Sequence, residues 1–412
     1  MSKEFIDRRN FIKSTLAGIG GLLCVASTNK SQEERIIEIK GARRKFIYRT
    51  LGKTGVKLPA ISMGAMYAID PALIRAALDS GLIHLETAHI HQGGKNEAMV
   101  GEVIKGRPRD SYLLTTKVAM RTNFMTGLFA PGETEAEFLK RLDISLKRLG
   151  VEYLDFLFLH AAMRRESVLF EPVLKALEKA KKDGKTRFVG VSTHRNELEV
   201  ARAAIDAKFY DVLMLPYHHK QQNYLEFRQT ITQAAQAGLG VVAMKVMGGT
   251  GSISDILRPV NARAALKWVL QDPNVHTTVP GITTFDEMNI DLSVMEDLTL
   301  SDSEKEYLKT ASASPGLYCQ GCGRCVVQCQ AKLPIPDLMR AYMYVHGYRN
   351  PALGQELILS LNLPNRVCES CALCPVQCSN EWKVAEKIRD VVSLRNVPPE
   401  WIGKQSCVQR GG

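Results

Sequence analysis

Cysteine is absent from most of this chain. None occurs between Cys24 and Cys319, although the 412 residues include ten cysteines in all. Disulfide scaffolds belong to short secreted chains and spread their cysteines over the whole fold, so this distribution excludes that class. The chain also lacks an apolar run of the roughly 20 residues that a membrane span requires. With 45% hydrophobic and 24% charged residues it has the composition of an ordinary folded domain protein.

Long runs of like charge are absent too, although the formal net charge is +11, from 54 basic and 43 acidic residues. The basic residues are scattered along the chain. The densest group, Lys40 with Arg43, Arg44 and Lys45, is short. We therefore expect no nucleic-acid partner, because such partners are bound by concentrated basic patches or tails.

The first 26 residues have the order of an export signal. The pair Arg8–Arg9 precedes an apolar, glycine-rich run from Ser14 to Ala26. This order resembles a twin-arginine signal peptide over residues 1–26, followed by a polar linker over 27–45. It implies a periplasmic or otherwise exported protein, with the twin-arginine export machinery as a partner and the membrane only as an export route. The alternative is an uncleaved N-terminus on a cytoplasmic protein.

Short β-branched runs alternate with amphipathic stretches from Phe46 onward. The strand candidates are Ala60–Met63, Ile83–Thr87, Tyr112–Val118, Leu154–His160, Thr186–Ser192, Val212–Leu215, Val241–Val246 and Thr277–Val279. The helices are predicted to begin near Pro71, Asn96, Thr134, Leu169, Asn196, Glu226, Asn261 and Asp286. Eight such units predict an α/β fold, a (β/α)8 TIM barrel over residues 46–310, with 46–59 as a hairpin before the first strand. The competing doubly wound sheet lacks its usual Gly-x-Gly-x-x-Gly after the first strand.

Three ionisable residues stand at the predicted C-terminal ends of three successive strands: Glu86, Lys117 and His160. Alone, such a lysine is usually a snorkelling surface residue, and such a histidine a core residue with its hydrogen bonds satisfied. Together they predict a shared site, because barrel enzymes place their chemistry at this face.

Eight cysteines form two runs of identical spacing in the last quarter of the chain. They are Cys319, Cys322, Cys325 and Cys329, then Cys368, Cys371, Cys374 and Cys378. This is the ferredoxin spacing, in which the fourth cysteine ligates the other cluster. It predicts two [4Fe–4S] clusters in a small, mainly helical ferredoxin-like domain over residues 311–395, with a tail over 396–412. The expected ligand sets are Cys319, Cys322, Cys325 and Cys378, and Cys368, Cys371, Cys374 and Cys329. Zinc is the alternative metal, since paired Cys-x2-Cys units also bind it.

Several segments of the barrel region together resemble the aldo-keto reductase superfamily, from about Tyr48 to Leu298. They are Tyr48–Gly55, Glu86–His91 with Gly93 and Glu97, Thr115–Val118, and Leu154–His160. With the cysteine runs, the chain is similar to a ferredoxin-fused member of that superfamily. The resemblance implies carbonyl reduction with hydride from a nicotinamide, catalysed by an aspartate, a tyrosine, a lysine and a histidine.

Carried over by position, the family's lysine is Lys117 and its histidine is His160. Glu86 stands at the aspartate position and can still neutralise Lys117. His91 stands at the tyrosine position, which is the larger departure. An imidazole can act as a general acid at neutral pH, but a neighbouring lysine disfavours its protonated form. Either Glu86 compensates and His91 is the acid, or the usual carbonyl chemistry is lost.

The cofactor side departs from the family as well. The positions implied for a nicotinamide cofactor are Ser192, Thr193, Met214, Lys245, Pro280 and Gly281. Met214 stands where the family has a glutamine. No basic residue follows Gly281 before Glu287 to hold a 2′-phosphate. NADH is therefore favoured over NADPH, and the alternative is that NAD(P)H binds weakly or not at all.

The combined expectation is an exported iron–sulfur oxidoreductase of the aldo-keto reductase type. It would interconvert a small carbonyl compound, or an activated double bond, and its reduced form. Two [4Fe–4S] clusters would relay electrons from a redox partner protein or another donor. One alternative is a non-catalytic barrel that binds a ligand or partner and serves electron transfer or redox sensing. The other is a cytoplasmic NADH-dependent reductase.

Overall fold

The computed structural model describes residues 32–39, 42–123, 126–249, 260–312, 316–369, 371 and 374–402. The chain divides into two compact units. The first comprises Met1–Val246 and Asn261–Ser314, and the second comprises Met247–Val260 and Pro315–Gly412. The expected signal peptide over 1–26 lies outside the described residues. The predicted boundaries, 46–310 and 311–395, place residues 247–249 and Val260 with the barrel, whereas the structure groups them with the second unit.

Eight parallel strands form one sheet in the first unit, in simple sequential order. They are β4 Met63–Gly64, β5 His84–Glu86, β6 Leu113–Ala119, β7 Leu154–His160, β8 Thr186–Ser192, β9 Val212–Pro216, β10 Gly240–Met244 and β11 Thr277–Thr278. Single parallel bridges, Ile61 to Thr278 and Gly64 to Gly281, join the first strand to the last. This arrangement agrees with the predicted (β/α)8 barrel.

Helices separate the strands of this sheet along the chain. They are α1 Pro71–Asp79, α2 Lys95–Ile104, α3 Glu135–Leu149, α4 Arg165–Val168, α5 Glu171–Lys182, α6 Glu197–Ala207, α7 Tyr224–Gln236, α8 Ala262–Leu270, α9 Phe285–Glu296 and α10 Asp302–Ala311. Capping interactions explain why several of these helices begin where they do. The Thr134 hydroxyl accepts the Glu137 N–H at α3, and Gly150 ends that helix in the left-handed conformation.

A three-stranded antiparallel sheet precedes the barrel: β1 Gln32–Ile39, β2 Ala42–Thr50 and β3 Lys57–Pro59. The hairpin expected over 46–59 is its second half. The first strand corrects the expectation of a linker over 27–45. Its polar residues are compatible with a strand because Lys45 and Lys57, on the two following strands, pair with Glu34 and Glu33.

The inside of the barrel is apolar and closely packed. Phe156, Phe158, Val212 and Met214 lie in one buried cluster, which Leu51 closes at the N-terminal end. Buried Arg49 donates to the backbone carbonyls of Leu270, Asp272 and Val275. We therefore expect the reactive side chains at the opposite face of the barrel, where the strands end.

The second unit is mainly helical, as expected for the C-terminal region. Its helices are α11 Arg324–Gln328, α12 Ile335–Tyr342, α13 Pro351–Ser360 and α14 Val384–Val392, and a π-helical turn, Met343–Gly347, extends α12. Their apolar faces share one core with Leu317, Leu333 and Val367. Among the described helices of the whole chain, none combines the length and the apolar character needed to cross a membrane.

Candidate functional site

Neighbouring strands bring the predicted catalytic residues to one end of the barrel. Glu86 ends β5, Lys117 lies near the end of β6 and His160 ends β7. In the parallel register Lys117 stands beside Phe158 and Ala119 beside His160. His91 begins a short 3-10 turn directly after β5. The structure therefore brings these four residues to the same end of the barrel.

Lys117 and Glu86 form a buried ion pair, with the Lys117 Nζ in direct contact with a Glu86 carboxylate oxygen. The ammonium also donates to the Thr87 carbonyl over 2.7 Å. Burial, with a smaller contribution from the charge of Lys245, lowers the pKa of Lys117 well below its usual value. The adjacent Glu86 carboxylate favours the charged ammonium and therefore acts against this shift.

Three histidine rings form an edge-to-face row beside the ion pair. The ring centroids of His91 and His160 are 5.8 Å apart, and those of His160 and His194 are also 5.8 Å apart. Burial lowers the pKa of His91 to about 3, with smaller contributions from Lys245 and His89. Burial also lowers the pKa of His160 well below its usual value. We therefore expect both imidazoles to be neutral at pH 7, so that neither ring carries a surplus proton.

The Nδ1 atoms of His91 and His160 are buried and have no hydrogen-bond partner within the described part of the chain. A buried polar atom without a hydrogen-bond partner costs free energy, unless a ligand or a water molecule supplies the partner. His89 differs, because its Nδ1 accepts the Ala119 N–H over 3.1 Å. This bond fixes His89 to the neighbouring strand.

Arg148 holds the turn that carries His91 in place. The Arg148 guanidinium donates to the His89 carbonyl over 2.9 Å and to buried Glu97 over 3.2 Å. It lies directly against Gly94, where a Cβ would collide with it. Sequence reasoning missed Arg148. The only sequence feature that pointed to its role was the glycine pair Gly93–Gly94. In the structure both glycines have positive φ.

The predicted carboxamide-binding residues are engaged within the protein. The Ser192 hydroxyl accepts the Ala161 N–H over 3.1 Å. The Thr193 hydroxyl donates to the Arg195 carbonyl over 2.6 Å and accepts the Arg195 N–H. Met214 belongs to the buried barrel core. These three side chains therefore fit a polar carboxamide poorly.

The remaining predicted cofactor positions lie at the ends of the last two strands. Lys245 follows β10 with a left-handed backbone, at φ 57°. Gly281 forms the parallel bridge to Gly64, and the Gly64 N–H donates to the Pro280 carbonyl over 2.9 Å. At the following helix start, α9, Glu287 accepts from the Thr283 hydroxyl and from two backbone N–H groups. A carboxylate thus occupies the place that an anionic phosphate would need.

The first predicted ligand set lines a single cavity in the second unit. Cys319, Cys322, Cys325 and Cys378 are all among its lining residues. The Cys378 sulfur accepts the Asn380 N–H over 3.3 Å, and the Ser379 hydroxyl lies 3.5 Å from the Cys322 sulfur.

The second predicted set is grouped as well. Cys329, Cys371 and Cys374 lie close enough to Cys368 to raise its pKa by charge repulsion, after the larger effect of burial. No disulfide joins any of these eight cysteines in the part of the chain that the structure describes. Within the described part of the chain, no three histidine, cysteine, aspartate or glutamate side chains converge closely enough to share one metal ion. Metal binding therefore stays a prediction.

A glutamine links the two cysteine runs, and sequence reasoning missed it. The Gln328 side chain accepts the Gln377 N–H over 2.6 Å and donates to the Arg324 carbonyl over 3.0 Å. Gln328 and Gln377 precede the fourth cysteine of each run. A glutamine at the same position of both runs is the sequence feature that could have pointed to this link.

Comparisons with known proteins agree with the barrel. Residues 64–256 match the aldo/keto reductase family. An L-glyceraldehyde 3-phosphate reductase from Escherichia coli (strain K12) is 24% identical over 314 residues, covering 62% of this chain and 90% of the relative. The methylglyoxal reductase DkgB from Salmonella typhi is 28% identical over 216 residues, covering 51% of this chain and 73% of the relative. A solved aldo-keto reductase structure from Bacillus halodurans has a TM-score of 0.51 at 22% identity, over 64% of this chain and 95% of that one, which shows the fold alone.

Proposed function

Because the chain carries an aldo/keto reductase family domain and is an oxidoreductase of that type, we propose that it interconverts a small carbonyl compound, or an activated double bond, and its reduced form. One observation carries this proposal. The buried Glu86–Lys117 pair lies beside two neutral histidines, each with a ring nitrogen that has no described partner. Such a group can bind a carbonyl oxygen and deliver a proton to it.

The proton chemistry follows from the charge states. A neutral imidazole donates a hydrogen bond but has no extra proton to release, so His91 and His160 orient and polarise the carbonyl oxygen. Burial lowers the pKa of Lys117, which makes its ammonium the most acidic proton in the group. We assign Lys117 as the proton source and Glu86 as the residue that keeps it charged.

Carbonyl reduction also requires two electrons. A nicotinamide, when bound, would supply them as hydride. The carboxylate of Glu287 at the α9 start disfavours a 2′-phosphate, which supports NADH over NADPH. The engaged hydroxyls of Ser192 and Thr193 leave the carboxamide without the side-chain partners that the resemblance implies. Tight nicotinamide binding is therefore not favoured.

We further propose that the eight cysteines hold two [4Fe–4S] clusters in a ferredoxin-like module. The cavity lined by one full set and the grouping of the other support this assignment. A structural zinc ion needs four ligands that converge at about 2.3 Å, whereas the four thiolates of a cubane bind different irons and stand farther apart. The described cysteines have no such convergence. Two clusters, each carrying one electron, match a two-electron reduction.

Export remains part of the proposal. The Arg8–Arg9 segment and the apolar run behind it support a twin-arginine route to the periplasm. A redox partner protein or other donor outside the cytoplasm would then supply electrons to the clusters. A cytoplasmic NADH-dependent reductase is the alternative, and cell fractionation distinguishes the two.

A second candidate function is a non-catalytic barrel that binds a ligand or partner while the clusters transfer electrons or sense redox state. Met214 favours it, because this apolar side chain fills the core where the family has a glutamine. Retention of the buried Glu86–Lys117 pair favours the reductase.

The test is anaerobic purification of the full chain, with iron and sulfide analysis and optical spectra before and after NADH. We expect about eight irons and eight sulfides per chain. Turnover is then followed with small aldehydes and either NADH or a chemically reduced low-potential dye as donor. Lys117→Met should lower kcat about 100-fold or more, whereas Lys175→Met, at an exposed ion pair, should not. Full metal loading with no turnover from either donor would favour the binding protein.

A further inference from the structure

The two cysteine runs differ in charge although their spacing is the same. The second position of the run is Gln320 in the first and Glu369 in the second. The sixth position is Arg324 in the first and Leu373 in the second. The first run thus carries one positive charge between its cysteines, and the second carries one negative charge. Net charge near a cluster is one of the factors that set its reduction potential.

Hydrogen-bond donors lie close to two sulfurs of the first ligand set. The Asn380 N–H donates to the Cys378 sulfur, and the Ser379 hydroxyl lies within hydrogen-bond distance of the Cys322 sulfur. Donors to a thiolate stabilise the reduced, more negative cluster and raise its potential.

Further cations surround the same set. Arg324 lines the cavity that these cysteines share. Arg340, on α12, interacts electrostatically with Cys319, and Asp337 is one of its counter-charges. Lys387, on α14, interacts with Cys378, and its ammonium lies 4.0 Å from the centre of the Tyr342 ring.

The second set has a mixed charge environment. Arg389 interacts with Cys368. Glu369 is exposed directly beside that cysteine, and its partner Arg366 is 3.8 Å away and largely exposed. An exposed pair of this kind offsets little of the carboxylate charge.

We propose that the set Cys319, Cys322, Cys325 and Cys378 holds the cluster of higher reduction potential, so that an electron entering the module settles there. Arg324, Ser379 and the Asn380 N–H are the groups that set this order, and Glu369 lowers the potential of the other cluster. The inference rests on the two clusters of the proposed function.

The test is a potentiometric titration of the anaerobically purified full chain, followed by electron paramagnetic resonance. The wild type should show two one-electron steps. Arg324→Leu, which copies the second run, should lower the higher midpoint and leave the lower one in place. Glu369→Gln, which copies the first run, should raise the lower midpoint. The double variant should bring the two steps closer together.

Ionic strength provides an independent readout. Arg324 and Glu369 are exposed, so their shifts should shrink as the Debye length falls from about 30 Å at 0.01 M to about 3 Å at 1 M salt. Ser379→Ala should also lower the higher midpoint, but by an amount that salt leaves unchanged. Glu356→Gln, at an exposed site on α13, serves as the control and should move neither step.

The outcomes separate the two proposals. A chain purified without iron and sulfide defeats the cluster assignment itself. If eight irons are bound but Arg324→Leu lowers the lower midpoint, or Glu369→Gln raises the higher one, the clusters stand and the proposed order is reversed. Equal movement of both steps in each variant also overturns the order.

Discussion

At the scale of single residues, the Glu86–Lys117 pair is the strongest feature of the barrel site. Both side chains are almost completely buried. An isolated buried charge is strongly disfavoured, so each member depends on the other. The pair therefore contributes to catalysis and to stability at once, and the two contributions can be measured separately.

Glu86→Gln should lower the free energy of unfolding by about 3–5 kcal/mol, because it leaves the buried Lys117 ammonium without its counter-charge. Urea denaturation followed by circular dichroism measures this. The matched control is Glu171→Gln, which breaks the exposed ion pair with Lys175 and should leave the midpoint unchanged. Equal small effects from both substitutions would mean that Lys117 is neutral in the folded protein.

At the scale of elements, the turn between β5 and α2 places His91. Its backbone has positive φ at Gln92, Gly93 and Gly94 in succession. The two glycines are not equivalent. A Cβ at Gly93 would meet open space, whereas one at Gly94 would collide with the Arg148 guanidinium.

Gly94→Ala should therefore impair the site more than Gly93→Ala does. Both substitutions incur the roughly 1–2 kcal/mol cost of a left-handed alanine, but only Gly94→Ala also displaces Arg148 and the turn that it holds. Urea denaturation and steady-state kinetics measure the two effects. We expect a clear loss of kcat for Gly94→Ala alone, and an equal loss in both variants would contradict the role given to Arg148.

The same elements show how far sequence reasoning reached. Strands β7 and β8 have the bounds predicted for them, because each has an apolar centre, over residues 156–159 and 188–191, that specifies a buried strand. Strand β1 was missed, since its alternation of Glu and Arg with Ile resembles a polar linker until its pairing with β2 is known. The Glu86–Lys117 contact could be predicted, because the ends of neighbouring parallel strands meet. Arg148 and Gln328 left only indirect signals in the sequence, because they bond to backbone groups of His89 and Gln377, which lie far away along the chain.

At the scale of the whole molecule, buried histidines dominate the response to acid. Burial lowers the pKa of His84, His89 and His276 to about 4, and that of His91 and His218 to about 3. The pKa values of His160 and His219 are also well below the usual value. An unfolded histidine titrates near pH 6.5. Below that pH the unfolded chain therefore binds more protons than the folded chain does.

Stability should consequently be complete above pH 7 and should fall as the pH decreases from about 6.5 to 4. Each buried histidine contributes up to about 1.4 kcal/mol per pH unit in that window. Burial raises the pKa of Asp291, so this residue stabilises the folded chain as the pH falls. It offsets the contribution of only one histidine. Thermal unfolding of the full chain across this range measures the slope. His84→Gln should make the slope shallower by up to one proton. A flat profile between pH 6.5 and 4 would mean that these rings are reached by water and are charged in the folded state.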